Sequence, residues 1–230
     1  MKKLIIIPAY NEEDNLKKLI NNIKKYAPSF DYIIVNDCST DNTAEVCRVN
    51  NYNYISLPIN LGIGGCVQTG YKYAYQNGYD YAVQVDGDGQ HNPEYLKSLM
   101  DKILEENIDF VIGSRFIEKS GFQSTLSRRI GITFLSKLIE FTTGSEVKDV
   151  TSGFRLGNRE IIKCFAKSYP RDYPEPESIV TLKRKGFNIV EVPVEMLERQ
   201  SGTSSIKSMK TVYYMVKVSL AILIDWIKTT

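Results

Sequence analysis

Short apolar runs, each followed by a stretch with helical spacing, recur along the first half of the chain and limit the folds open to it. Leu4–Ile7, Tyr32–Val35, Tyr54–Leu57, Tyr81–Val85 and Phe110–Ile112 read as strands. Helices are predicted over Glu12–Tyr26, Thr43–Val49, Gly64–Asn77 and Pro93–Glu106. Apolar runs of this length, bounded by turn residues and alternating with helices, indicate an α/β fold. Its central sheet is mostly parallel and covered on both faces. Ligands of such sheets bind beyond the carboxyl ends of the strands. The polar clusters PAYNEE, NDCSTDN, DGDGQH and GSR all stand at those ends, so they are expected along one edge.

Beyond residue 115 the alternation weakens. A helix is predicted over Leu126–Phe141, followed by the irregular stretch DVTSGFR and a helix over Arg159–Phe165. The proline-rich SYPRDYPEPES reads as a loop, Ile179–Lys185 as helix and Ile189–Val194 as a strand. ERQSGTSS has the composition of a loop and is expected to act as a lid over substrate. A long helix follows. No linker divides the chain, so the expected organisation is one domain over 1–205 with an appended amphipathic helix over 206–230.

With 230 residues there is room for one good core. A net charge of +2 and the lack of a basic block with interleaved aromatics give no reason to expect nucleic acid. Cys38, Cys47, Cys66 and Cys164 show no ligand-like spacing and read as reduced thiols of a cytoplasmic protein. The opening MKKLIIIPAYNEE is too short in its apolar run for a signal peptide and is broken by Pro8, so it reads as a buried strand. No uncharged apolar stretch reaches the ~18 residues of a membrane span.

The chemistry concentrates in VDGDGQHNP, residues 85–93. Asp86 and Asp88, separated by Gly87, can both reach one hard divalent cation, and Gln90 can add an oxygen. Mg²⁺ or Mn²⁺ completes such a shell with water and substrate phosphates. The glycines allow a phosphate close to the backbone. The plainer alternative is a solvated Asp-Gly turn. Its place at a strand end, among other polar loops, favours the cation site. LGIGGCVQTG does not match the G-x-G-x-x-G spacing of a dinucleotide-binding turn. His91 could stand beside the cation or cap the helix after it.

PAYNEE, VNDCSTDNT, NLGIGGCVQTGYKYA and DGDGQH, in this order, resemble the motifs of glycosyltransferase family 2. VIGSRF, TSGFR and the R-x-x-G-x-S stretch from Arg199 to Ser204 are similar to its polyprenyl-phosphate branch, which includes dolichyl-phosphate mannosyltransferase. The resemblance spans roughly residues 3–206. It implies a GT-A (Rossmann-like) fold, an inverting mechanism and a UDP- or GDP-sugar donor. Pro8, Tyr10 and Glu12 would then border the nucleotide, and Asp37 would bind the base. Asp86, Asp88 and Gln90 would hold the cation on the diphosphate. Arg115 and Arg129 would meet an acceptor phosphate, and Arg199 would close over the reaction centre. Asn36 and Cys38 depart from the usual Asp and Gly of the family's turn.

A phosphate acceptor needs arginines more than a base. A hydroxyl acceptor, as on a surface polysaccharide, needs a carboxylate, for which Asp149 is placed by the family pattern; the alternative for Asp149 is an ion pair with Arg155 or a nearby arginine. Glu175 and Glu177 are expected to line the acceptor cleft. On the last helix, Lys207, Lys210, Lys217 and Lys228 share a stripe with Asp225. Val212, Val216, Leu220, Leu223 and Ile227 fall opposite, with Trp226 at the border. That pattern suits an interfacial anchor; core packing or a homo-oligomer contact is the alternative. The expectation is a metal-dependent enzyme, peripheral at the cytoplasmic face of the membrane, alone or through an integral-membrane partner. A non-catalytic membrane-recruiting scaffold is the alternative from another class.

Overall fold

The computed structural model describes residues 1–118, 126–197 and 208–227. Its centre is a seven-stranded sheet. The strands are β1 (Lys3–Ala9), β2 (Asp31–Asn36), β3 (Tyr54–Ser56), β4 (Tyr81–Gln84), β5 (Phe110–Ser114), β6 (Arg155–Asn158) and β7 (Ile189–Pro193). Their order is β3-β2-β1-β4-β6-β5-β7, and only β6 runs antiparallel to its neighbours. The helices are α1 (Leu16–Tyr26), α2 (Thr43–Val49), α3 (Gly62–Gln76), α4 (Leu96–Ile103), α5 (Leu126–Thr143), α6 (Arg159–Lys167), α7 (Pro174–Arg184) and α8 (Ser208–Ile227).

Alternation along the strands divides the core in two. Leu4 and Ile6 pack with α3, α5, α6 and α7 on one face, whereas Ile5 and Ile7 pack with α1 and α4 on the other. Both faces of β1 are therefore buried, as its unbroken apolar run requires. Because β1, β2, β4, β5 and β7 point the same way, their carboxyl ends share one edge. β6 is reversed, so TSGF enters the sheet at that edge.

Two readings of the sequence need correcting. PEPES is not loop but the first turns of α7, with Pro174 at its start. Proline is tolerated there because first-turn N–H groups lack helical partners anyway. The end of the irregular DVTSGFR stretch belongs to β6, which pairs with both β4 and β5. The last helix packs on α5 and α7. It buries Val218 and Ile222 and leaves Val216, Leu220 and Ile224 exposed. Lys217 bonds to Asp172 (2.5 Å) in front of α7. The side chains of Lys207, Lys210, Val212, Asp225, Ile227 and Lys228 lie outside the described part, as does ERQSGTSS.

Candidate active site

The chain reverses its direction of travel across the sheet between β1 and β4, and this switch point is where open α/β sheets bind ligands. Pro8 lies in the buried part of β1, and its carbonyl accepts from the Gly87 N–H (3.2 Å). A Cβ on Gly87 would lie 2.9 Å from that oxygen, so glycine is what lets the aspartate loop lie against β1. Tyr10 is exposed beside it. Glu12 receives a bond from Asn15 Nδ2 (2.6 Å), and its own N–H donates to Thr43 Oγ1 (2.8 Å), tying PAYNEE to the start of α2.

The turn after β2 is built by the two residues that depart from the family pattern. Asn36 Oδ1 accepts from the N–H and hydroxyl of Ser39, and its Nδ2 donates to Ser56 Oγ (3.1 Å). Cys38 takes the left-handed φ of 57°, so the glycine-like backbone persists despite the side chain. Asp37 is buried; its Oδ1 accepts from the Leu61 N–H at the start of α3 (2.7 Å). Its Oδ2 has no partner among the described residues.

Asp86 keeps about a third of its side chain exposed (34 %). Its Oδ1 accepts from the Gln84 amide (2.8 Å), and Oδ2 lies 3.6 Å from His91 Nε2. His91 does not cap the following helical turn; Asn92 does. The His91 ring stacks on Phe154, and its Nδ1 accepts from the Asp86 N–H (3.0 Å), which places the ring proton on Nε2. Asp88 is nearly buried, accepts from the Gln90 N–H (3.0 Å) and lines a small cleft with Asn15, just before α1, and Lys18 of α1. The Gln90 carbonyl accepts from the Leu197 N–H (2.9 Å), so the stretch leading to Arg199 is pinned to the aspartate loop. Arg199 itself is outside the described residues.

No three His, Cys, Asp or Glu side chains gather into a cage among the described residues. That donor set still suits Mg²⁺ or Mn²⁺, which take one or two carboxylates and leave the other positions to water and phosphates. The hydrogen bond that reaches the Asp86 carboxylate among the described residues comes from the neutral Gln84 amide, with the His91 ring 3.6 Å away. Its charge therefore remains available to a cation.

At the end of β5, Arg115 and Asp149 form a two-pronged ion pair. Arg115 Nε donates to Oδ2 and Nη2 to Oδ1, both at 2.7 Å, and the Arg115 N–H adds a third bond to Oδ2 (3.0 Å). Asp149 is fully buried and Arg115 mostly so. Glu191 on β7 fixes the Lys148 and Asp149 N–H groups (2.8 Å each). The pairing partner of Asp149 is thus Arg115 and not Arg155. Arg129 is exposed on α5, whose outer face also carries exposed Ile130, Phe134 and Phe141. Phe141 touches Trp226 of α8 (5.7 Å between ring centres). Glu175 and Glu177 lie in the first turn of α7. Burial raises the Glu175 carboxyl above the ordinary carboxylate range, and Arg155 opposes that rise.

Comparison with known proteins follows the same lines. The chain is 30% identical to the UDP-N-acetylglucosamine–dolichyl-phosphate N-acetylglucosaminyltransferase of Methanococcus voltae, over 96% of this chain and 97% of that one. It is 28% identical to the polyprenol monophosphomannose synthase of Mycolicibacterium smegmatis, over 95% and 86% of the two chains. The fold is similar to that of glucosyl-3-phosphoglycerate synthase from Mycobacterium tuberculosis, solved with Mn²⁺, UDP-glucose and glycerol 3-phosphate. That match has a TM-score of 0.72 at 18% identity and covers 98% of this chain and 79% of that one. The pattern of glycosyl transferase family 2 matches residues 4–165. With the GT-A arrangement of its sheet and the strand-end aspartates in place, the chain belongs to glycosyl transferase family 2 and is a glycosyltransferase.

Proposed function

We propose that this enzyme transfers a sugar, with inversion, from a UDP- or GDP-sugar to a polyprenyl phosphate. What supports the acceptor most is the similarity, over nearly the whole length of both chains, to transferases named for dolichyl phosphate and polyprenol phosphomannose. The geometry agrees with it. Asp149 is enclosed and has both oxygens bonded to Arg115, so it holds an arginine in place and is poorly placed to take a proton. A lipid phosphate is already ionised and needs a held arginine more than a base.

In this reading Pro8, Tyr10 and Glu12 border the nucleotide, and the unpaired Oδ2 of Asp37 accepts an N–H of the base. Asp86 and Asp88, with Gln90 beside them, hold Mg²⁺ or Mn²⁺ on the diphosphate. A cation bound there would offset the negative charge that builds on the leaving β-phosphate. Arg115, kept rigid by Asp149, and Arg129 orient the acceptor phosphate behind the sugar carbon it attacks, and Arg199 closes over them.

The acceptor would be met at a membrane surface, at its cytoplasmic face. No described helix is long and apolar enough to cross a membrane. The outer faces of α5 and α8, with Ile130, Phe134, Phe141, Val216, Leu220 and Ile224, form an exposed apolar strip that includes Arg129's neighbour in sequence. Such a strip suits burial at the headgroup boundary, with the arginine at phosphate level. The test is incubation with Mn²⁺, a panel of UDP- and GDP-sugars and undecaprenyl phosphate. Sugar label that enters the organic phase with one donor supports the reading; label that stays in water with every donor contradicts it.

A further inference from the structure

A glutamine is buried at the end of β4, two residues before the aspartate loop. Gln84 is 2% exposed and stands between Ile6 of β1 and Arg155 of β6 on the sheet. A buried amide costs free energy unless it is hydrogen-bonded. Among the described residues the Gln84 side chain makes one hydrogen bond, from Nε2 to Asp86 Oδ1 (2.8 Å). An ionised carboxylate only accepts, so the amide must present its N–H to Asp86.

The TSGF stretch lies against this pair. A Cβ on Gly153 would stand 2.9 Å from Gln84 Nε2, 3.1 Å from Asp86 Oδ2 and 3.3 Å from His91 Cε1. The backbone on either side of Gly153 is fixed. Ser152 Oγ donates to the Gly113 carbonyl (2.6 Å), and Arg155 donates to the carbonyls of Ser152 (2.5 Å) and Val150 (3.1 Å). The Phe154 ring stacks on His91. The amide and the carboxylate thus meet under a held stretch of backbone, in a space that leaves no room for a methyl group.

We propose that Gln84 is a positioning residue for the cation site: its amide holds the Asp86 carboxylate in the orientation that receives Mg²⁺ or Mn²⁺, and Gly153 supplies the clearance this needs. The Asp86 side chain is one-third exposed (34 %) and stands in a loop beside Gly87, so an unheld carboxylate would turn freely. Binding a cation would then have to stop that rotation, at a cost in entropy. A neutral amide stops it beforehand and leaves the negative charge for the cation. Partners that orient a ligating group in this way typically contribute about 10–100-fold to metal affinity. The role rests on Asp86 being a cation ligand, as proposed above. It also gives the glycine of TSGFR a task that the transfer reaction had not assigned to it.

Mn²⁺ binding to the full chain tests it, read as loss of the free-ion electron paramagnetic resonance signal in the presence of UDP or GDP. Gln84→Met keeps the length of the side chain and removes the N–H. Gly153→Ala keeps both polar groups and drives a methyl onto the amide. Each is expected to weaken Mn²⁺ binding about tenfold or more. The Mn²⁺ concentration for half-maximal turnover should rise by the same factor, with kcat at saturating Mn²⁺ close to wild type. A residue that only supported the fold would lower Tm and kcat and leave the Mn²⁺ constant where it was. Wild-type Mn²⁺ affinity in Gln84→Met would therefore overturn the proposal; if that variant does not fold, the same result in Gly153→Ala would do so. A wild-type chain that binds no Mn²⁺ with either nucleotide would instead overturn the cation reading, and the role of Gln84 with it.

Discussion

Arg115 grips Asp149 with two side-chain bonds of 2.7 Å and one from its own backbone, in a pocket where Asp149 is fully enclosed. A pair of this kind does not gain much from its own charge, since removing both ions from water costs about what their attraction returns. Its value is in direction, because a guanidinium held along one edge cannot swing away from the cleft. Asp149→Asn should therefore lower stability by about 3 kcal/mol, by leaving a mostly buried arginine without its counter-charge. Thermal unfolding would show the lowered Tm. An acceptor titration should show a raised KM for the lipid phosphate, with donor KM unchanged.

Metal removal has a separate signature. Chelation with EDTA should abolish turnover, and Mn²⁺ or Mg²⁺ should restore it. Asp86→Ala should lower kcat about 10²-fold or more, because several kcal/mol of charge stabilisation on the leaving group goes with the cation. Asp86 is partly exposed, so the far-UV circular dichroism and Tm of that variant should stay close to wild type. A metal-independent wild-type rate would contradict the assignment.

Glu175 makes stability depend on pH. Unfolded, it titrates near the ordinary carboxylate value of 4.5; folded, burial holds it higher, against the pull of Arg155. At low pH the group is protonated in both states and costs nothing. As pH rises through the ordinary value, the unfolded chain ionises first and the folded chain loses stability. The loss is complete above the raised folded value. Glu175→Gln should thus raise Tm at about pH 7 and leave it unchanged at about pH 4. A gain of equal size at both would show that the charge is not its cause.

The apolar strip on α5 and α8 predicts a vesicle-binding phenotype. Phe134→Glu and Leu220→Glu both place a charge on an exposed side chain, so neither should disturb folding. Each should weaken sedimentation with anionic lipid vesicles by about tenfold, the order expected from losing one buried apolar side chain. Turnover of a short-chain, water-soluble polyprenyl phosphate should be retained.

The parallel part of this fold was legible because strands buried on both faces must read as unbroken apolar runs, as in Leu4–Ile7 and Phe110–Ile112. β6 was not, since RLGN opens with an arginine, contains a glycine and has four residues. It is a strand because its neighbours supply the pairing. PEPES misled by composition, for a helix start excuses prolines that its middle would not. In the site, the strand-end clusters were readable as a shared edge from topology alone. The Arg115–Asp149 pair was not, because its members are separated by a long helix and meet only when β5 is set beside the entry to β6.

The central claim, that the acceptor is a lipid phosphate, is tested most directly by offering the enzyme polyprenyl phosphate and the matching polyprenol in parallel. Nucleoside diphosphate release is then followed with the one active donor. The account predicts release that depends on the phosphate, with the bare alcohol giving background only, because Arg115 and Arg129 have nothing to hold in it. Equal release with polyprenol, or with a soluble glycan in place of the lipid, would contradict it and return Asp149 to the role of a base.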